Sequence, residues 1–267
     1  GGEEVAPAES CEASTFSFPE DEFSVCNVGS SCREEYNQAN GSVGNMWVES
    51  DDFDIAGKRL RSEKTRVKLN EYQPAIVPKY TEIGYKKEKL NPETFAYLMQ
   101  WYENQIAAKE PVVESWPPDN TYVNHWKVDT TMSHSPRRIH TRLYEDLLPL
   151  MEEWTGLELK STACYGVRHY YRGSILANHV DRVDTHVISA IINVAQPGEI
   201  VFYESASVIH GRPEAFQGDR FANIFVHFAP VKGWHITAND VEMAARSGAY
   251  KKSREEAARN AEAAKTA

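Results

Sequence analysis

A histidine, a carboxylate two residues on and a second histidine further along can put three ligands on one face of a metal ion. His179-Val180-Asp181 followed by His210 is such a set. Two imidazoles and one carboxylate, with the opposite face left open, suit non-haem Fe(II) and its reactions with oxygen. Ten residues past His210 stands Arg220, at the head of a run to Phe228 whose alternating apolar positions read as a strand. A planar guanidinium there would hold one end of a dicarboxylate co-substrate by a paired, charge-assisted contact. Against this stands the reading in which His179, Asp181 and His210 are buried polar residues satisfied within a core and Arg220 is a structural arginine paired with Asp219. With nine histidines in the chain, one His-x-Asp is a weak signal by itself.

The elements that must position these residues are mostly strands. From Glu158 to Tyr171 the sequence is rich in β-branched and aromatic residues, and Val187–Val194, Ile200–Tyr203, Val208–His210 and Phe221–Phe228 follow with turn residues between them. Short strands so spaced favour a sandwich or barrel of the jelly-roll kind. Two helices precede this block. Asn91 is placed to cap the first, with Pro92 at its first position and Phe95, Leu98, Met99, Tyr102 and Ile106 along one face to about Lys109. Ser135-Pro136 opens the second, which runs through Ile139, Leu143, Leu147 and Met151 to Gly156, a residue suited to a left-handed cap. The fold class expected is α+β, a β core backed by helices. Between Arg66 and Tyr80 the apolar residues suggest a strand broken by Pro74 and Pro78, and 111–120 reads as a loop. Residues 1–65 are expected to be an irregular arm, 66–236 the functional domain with its β core at 159–230, and 237–267 a helical tail interrupted near Ser247-Gly248.

Composition limits the partners. The chain has 267 residues, 41% of them hydrophobic, which is enough for a full core. Its net charge of −10 would repel a phosphate backbone, so nucleic acid is excluded as an expected partner. Nor does any run of 18 apolar residues offer a membrane span. Cys11, Cys26 and Cys32 cluster near the start, and Asn40-Gly41-Ser42 is a glycosylation sequon. Both favour an oxidising compartment, the secretory pathway or endoplasmic reticulum lumen, with at least one disulfide. Gly1 opens the chain without a methionine, which leaves room for a removed leader.

Taken together, Tyr170-Tyr171-Arg172-Gly173, His179-Val180-Asp181, Ile191-Ile192-Asn193-Val194, Pro197-Gly198-Glu199, Tyr203-Glu204-Ser205, His210-Gly211-Arg212-Pro213 and Arg220 resemble the prolyl 4-hydroxylase group of 2-oxoglutarate-dependent Fe(II) dioxygenases. The resemblance covers residues 159–230 specifically and the preceding helices weakly. It implies a double-stranded β-helix, jelly-roll and cupin-like, with N-terminal helices behind it. It also implies Fe(II) on His179, Asp181 and His210, with 2-oxoglutarate and O2 as co-substrates and ascorbate as an accessory reductant. Because Asp181 keeps the carboxylate, halogenation, for which related enzymes replace it, is disfavoured. Arg220 would take the far carboxylate of 2-oxoglutarate, helped by Tyr170, although Tyr165 and Tyr171 lie near and a strand tyrosine is usually core. Arg168, two residues before Tyr170 on the same face, would touch oxoacid or substrate; Asn193 and Trp234 are candidates for the pocket lining, and His169, His186 and His227 are read as structural. The implied reaction is 4-hydroxylation of peptidyl proline in a proline-rich or collagen-like partner. The alternatives are the same chemistry on a lysyl side chain or small molecule, and a catalytically silent module that holds peptides in the same groove.

One departure concerns length. From Asp181 to His210 there are 29 positions, room for two strands where this fold is expected to carry four. Residues are therefore expected to be absent between Gln196 and Pro197, unless Pro197-Gly198 closes a tight hairpin. An intact mass above 30.2 kDa in the native protein would support the first reading.

Overall fold

A computed structural model describes residues 14–16, 23–26, 52–194 and 198–247, the first two segments as backbone. Within them strands β1 (Ser14–Phe16) and β2 (Phe23–Cys26) precede helix α1 (Phe53–Ile76), strand β3 (Tyr85–Lys89) and helix α2 (Pro92–Ala108). Strands β4 (Val112–Val113) and β5 (Thr131–His134) lead to helix α3 (Arg137–Thr155). Then come β6 (Leu159–Tyr171), β7 (Leu176–His179), β8 (Ile188–Asn193), β9 (Glu199–Tyr203), β10 (Ile209–Arg212), β11 (Arg220–Pro230) and helix α4 (Ala238–Arg246).

The strands form two antiparallel sheets, in the order β1-β2-β10-β7 and β3-β9-β8-β11-β6-β5-β4. Alternation along the larger sheet divides its side chains between two cores. Ile188, Ala190 and Ile192 of β8 and Ala222, Ile224 and Val226 of β11 point to one face, against Leu98 and Trp101 of α2 and Ile139, Leu143, Leu147 and Met151 of α3. Tyr170, Ile191, Val201, Tyr203 and Phe221 point the other way and pack with Val208 and Phe216, which flank β10. The molecule is thus an α+β fold, a cupin-like jelly roll whose larger sheet is backed by helices.

The helix ends follow their chemistry. Asn91 accepts hydrogen bonds from the N–H groups of Glu93 at 2.8 Å and Thr94 at 3.4 Å, and Gly156 closes α3 at φ +70°, where a side chain would be strained.

Three expectations are corrected. The strand expected between Arg66 and Tyr80 is helical as far as Ile76, and that helix starts at Phe53, inside the expected arm. Besides Pro74, its buried residues are Arg59, Glu63, Arg66, Asn70 and Gln73, a polar stripe at helical spacing. Such a stripe gives no hydrophobic period, so the scattered Val67, Leu69 and Tyr72 imitate a strand. The loop at 111–120 contains the short strand β4, which pairs with β5. The tail is helical over Ala238–Arg246, as expected from about Asn239; its continuation lies outside the described residues. So do Ala195–Pro197, the side chains of Cys11, Cys26 and Cys32, and the Asn40 sequon. Among the described residues no helix is long and apolar enough to cross a membrane.

Candidate metal centre and its pocket

His179 ends β7, and His210 stands directly opposite it on β10. Residues facing across an antiparallel pair project from the same side, so the two imidazoles meet, with ring centroids 4.4 Å apart. Asp181 follows two residues on, its N–H donating to Ser205 O at 2.8 Å, and its Oδ1 lies 3.5 Å from His179 Nε2 and 3.7 Å from His210 Nε2. One donor atom from each of the three lies within 4.8 Å of the others.

The surroundings prepare these atoms for a cation. His179 Nδ1 donates to Ala177 O at 2.7 Å and His210 Nδ1 to Val208 O at 2.9 Å. A carbonyl only accepts, so each bond engages Nδ1 as donor and leaves Nε2 as the ring nitrogen that faces Asp181. Burial, and then the charge of His210, pushes the His179 pKa down and favours the neutral ligand form. Burial pushes the Asp181 carboxyl up, yet the charge of His210 and contacts from both histidines outweigh it and hold the group well below the usual carboxylate range. Its Oδ2 is buried without a hydrogen bond. An ionised carboxylate so placed, between two imidazole Nε2 atoms, fits a divalent ion.

Helix α1 holds the backbone of this centre from behind. Arg66 donates to Asn178 O, and Asn70 Nδ2 donates to the same oxygen at 2.8 Å. Asn70 Oδ1 accepts from Val180 N at 3.0 Å, and Gln73 Nε2 donates to Asp181 O and Ala206 O, both at 2.8 Å. The polar stripe therefore satisfies carbonyl and amide groups that a ligand-bearing loop could not pair with a neighbouring strand.

In front lies a cavity of about 340 Å³, lined by His179 and Asp181 together with Trp116, Tyr122, Tyr165, Arg168, His186, Phe225 and His227. Arg168 makes a two-pronged contact with Glu114, Nε to Oε2 at 2.8 Å and NH2 to Oε1 at 2.9 Å, between the rings of Trp116 and Phe225. Its charge is already matched there, as a wall of the pocket. His227 and His186, read from sequence as structural, also face the pocket: His227 Nδ1 is 3.8 Å from Asp181 Oδ2 and 2.7 Å from Ser189 Oγ. Burial pushes the His227 pKa down to about 3. Trp234 stands elsewhere, its Nε1 donating to Val183 O at 2.8 Å, and His169 is buried on the helix side, bonded to Tyr102 Oη at 2.9 Å.

The two residues expected to share one carboxylate of 2-oxoglutarate are separated by the sheet. In the β6–β11 register Arg220 opposes Tyr171 and Phe221 opposes Tyr170. Arg220 therefore shares a face with Tyr171, His169 and Ala222, the helix side, where it is exposed; burial, followed by its charge, lowers the His169 pKa. Tyr170 shares the inner face with Arg168, Phe221 and Asn223. Its hydroxyl is buried beside Arg168. An arginine that does reach this face is Arg212. It is 6% exposed, with its guanidinium carbon 4.5 Å from the Tyr170 ring centre, 5.3 Å from that of Phe216 and 5.6 Å from that of Phe221. Its position two residues beyond His210 is a signal in the sequence, although the β7–β10 pairing shifts between the two. The pocket walls Trp116 and Tyr122 had none, because they come from an irregular segment.

No protein-family model matches this chain, and no curated protein matches it. Among solved structures it is similar to a prolyl hydroxylase from Trichoplax adhaerens in complex with a peptide fragment of the hypoxia inducible factor oxygen degradation domain. The identity is 11% and the TM-score 0.39, over 68% of this chain and 94% of that one. It is also similar to a Pseudomonas putida prolyl-4-hydroxylase, at 15% identity and TM-score 0.40 over 54% and 92% of the two chains. A third is AviO1 from Streptomyces viridochromogenes Tue57, at 16% and 0.39 over 56% and 91%.

Proposed function

We propose that this chain is an Fe(II)- and 2-oxoglutarate-dependent dioxygenase that hydroxylates peptidyl proline. The observation that carries the reading is the meeting of His179, Asp181 and His210 at one end of an aromatic cleft, with their donor atoms within 4.8 Å of one another. Iron with 2-oxoglutarate and O2 supplies, when bound, the oxidising power to replace a C–H bond by C–OH while the oxoacid becomes succinate and CO2.

The protein's share is placement. The Ala177 and Val208 carbonyls hold both Nδ1 atoms, which leaves the two Nε2 atoms to face a metal. Asp181, already ionised, halves the charge of a divalent ion and leaves the remaining positions open to the cleft. Trp116, Tyr122, Tyr165 and Phe225 give the cleft aromatic walls, and the Arg168–Glu114 pair adds no net charge. Such a groove suits a proline-rich segment, whose extended conformation is stiff before binding and whose rings pack on aromatic faces. The same reading keeps the secretory pathway as the compartment.

The test is anaerobic loading with Fe(II) and 2-oxoglutarate followed by O2, with succinate measured with and without a proline-rich peptide, beside Asp181→Ala. Succinate should rise with the peptide and vanish in the variant. Turnover indifferent to the peptide would overturn the substrate, and absence of iron binding would overturn the enzyme.

A further inference from the structure

Resting on the metal centre of that reading, we infer that residues 14–26 are a donor hairpin: β1 and β2 complete the smaller sheet from outside the core block and hold His210 where it can ligate. Residues 159–230 send β6, β8, β9 and β11 to the larger sheet and only β7 and β10 to the smaller one. The 29 positions from Asp181 to His210 carry β8 and β9, and both pair in the larger sheet. Two strands by themselves make a ribbon of marginal stability. Strand β2 turns that ribbon into a sheet by pairing with β10, and β1 pairs with β2 in turn. The two strands for which the chain has no room between its ligands are thus supplied from its beginning. The sequence carries a trace of this: Phe16, Phe18, Phe23 and Val25 gather around Pro19 and Asp21 in an arm otherwise rich in Glu, Ser, Ala and Gly.

The pairing matters to the metal centre because β7 alone fixes β10 weakly. On that side His210 opposes His179 and Arg212 opposes Leu176, with a shift of register between them at Gly211. On the other side β2 runs past the same stretch without a shift, Ile209 opposite Cys26, His210 opposite Val25 and Gly211 opposite Ser24. A regular partner specifies the register that a shifted one leaves loose. The His210 ring follows its backbone, since its Nδ1 donates to Val208 O at 2.9 Å on the same segment. The other two ligands are held differently. Helix α1 braces Asn178, Val180 and Asp181, and it reaches the β10 side at Ala206, four residues before His210. Loss of β2 would therefore leave His179 and Asp181 in place and loosen the third ligand.

The experiment reads backbone amide exchange on the metal-free full chain and then titrates it with Fe(II) without oxygen. The variant carries Ser24→Pro together with Val25→Pro. Neighbouring N–H groups of a strand point to opposite sides, so the two prolines remove one hydrogen bond toward β10 and one toward β1. Exchange of the Ile209–Gly211 amides should rise about 100-fold or more, with the amides of α2 and α3 within about threefold of the unaltered protein. Fe(II) affinity should fall about tenfold or more. Thr15→Pro, on the outer strand, should give smaller changes of the same sign, and it decides the matter if the double variant does not fold. Exchange at β10 that stays within about threefold of the unaltered protein overturns the hairpin's role, and so does faster exchange there with iron affinity unchanged. An unaltered protein that takes up no iron overturns the metal reading instead, while the exchange of β10, read without metal, still decides the pairing.

Discussion

His169 shows what a single buried imidazole does for this fold. It lies wholly inside, bonded to Tyr102 Oη at 2.9 Å and Thr131 Oγ1 at 3.1 Å, and burial, followed by the charge of Arg220, lowers its pKa to about 4. An unfolded chain takes up that proton near pH 6.5, whereas the folded one resists until about pH 4, so stability falls as the pH drops through this window. Urea melts should show the native protein losing on the order of 2 kcal/mol more than His169→Gln between pH 6.5 and 4. Equal slopes for the two would remove the imidazole from the account. Arg220→Gln should raise the His169 pKa and narrow the window, which gives the arginine a role on the helix side. The same residues mark what a sequence leaves open. His179, Asp181 and His210 are legible because ligand types at a recognisable spacing name themselves. Counting from His210 does not fix the face of Arg220, because strand faces alternate with every residue; the register beside Tyr171 does.

Among the elements, α1 carries the most information that periodicity does not. A helix that packs on apolar side chains advertises a hydrophobic stripe, and α2 and α3 were legible for that reason, together with Asn91, Pro92 and Gly156 at their ends. Helix α1 packs instead on carbonyls and amides of the segment from Asn178 to Asp181, and so its inner stripe reads Arg66, Asn70, Gln73. Gln73→Leu keeps the volume and removes both carbonyl contacts; iron affinity is expected to fall 10- to 100-fold, the range found when groups behind a metal ligand are removed. A titration that gives affinity within threefold of the native protein would show that β7 and β10 suffice alone. Glu204 plays a comparable part for the connection after α1. Its buried carboxylate accepts from Tyr80 N at 3.0 Å, Thr81 N at 2.8 Å and Thr81 Oγ1 at 2.6 Å. Glu204→Ala strands those donors and should lower unfolding free energy by about 3 kcal/mol, read from denaturant midpoints. An unchanged midpoint would mean that water replaces the carboxylate without loss.

At the scale of the whole molecule, the two cores have different duties. The helix-side core is built from Leu98, Ile139, Leu143, Leu147 and Met151 against alternate residues of β8 and β11, and it supplies stability. Leu147→Ala should cost about 3 kcal/mol, visible as a lower melting temperature with iron binding retained below it. Loss of metal binding in the folded variant would show the two cores to be coupled. The inner core lies against the candidate centre, where the Tyr203 ring stands 4.6 Å from that of His210. The strand β10 that crosses it has β7 on one side and β2 on the other, partners from the middle and the very beginning of the chain. A segment near residue 25 thus has to wait for residue 210 before it finds its pairing, and contacts so remote in sequence form slowly. During synthesis that wait lasts on the order of ten seconds or longer. The centre that gathers His179, Asp181 and His210 is therefore among the last parts of the molecule to be completed, and a chain interrupted before β10 carries His179 and Asp181 with no second histidine to close around them.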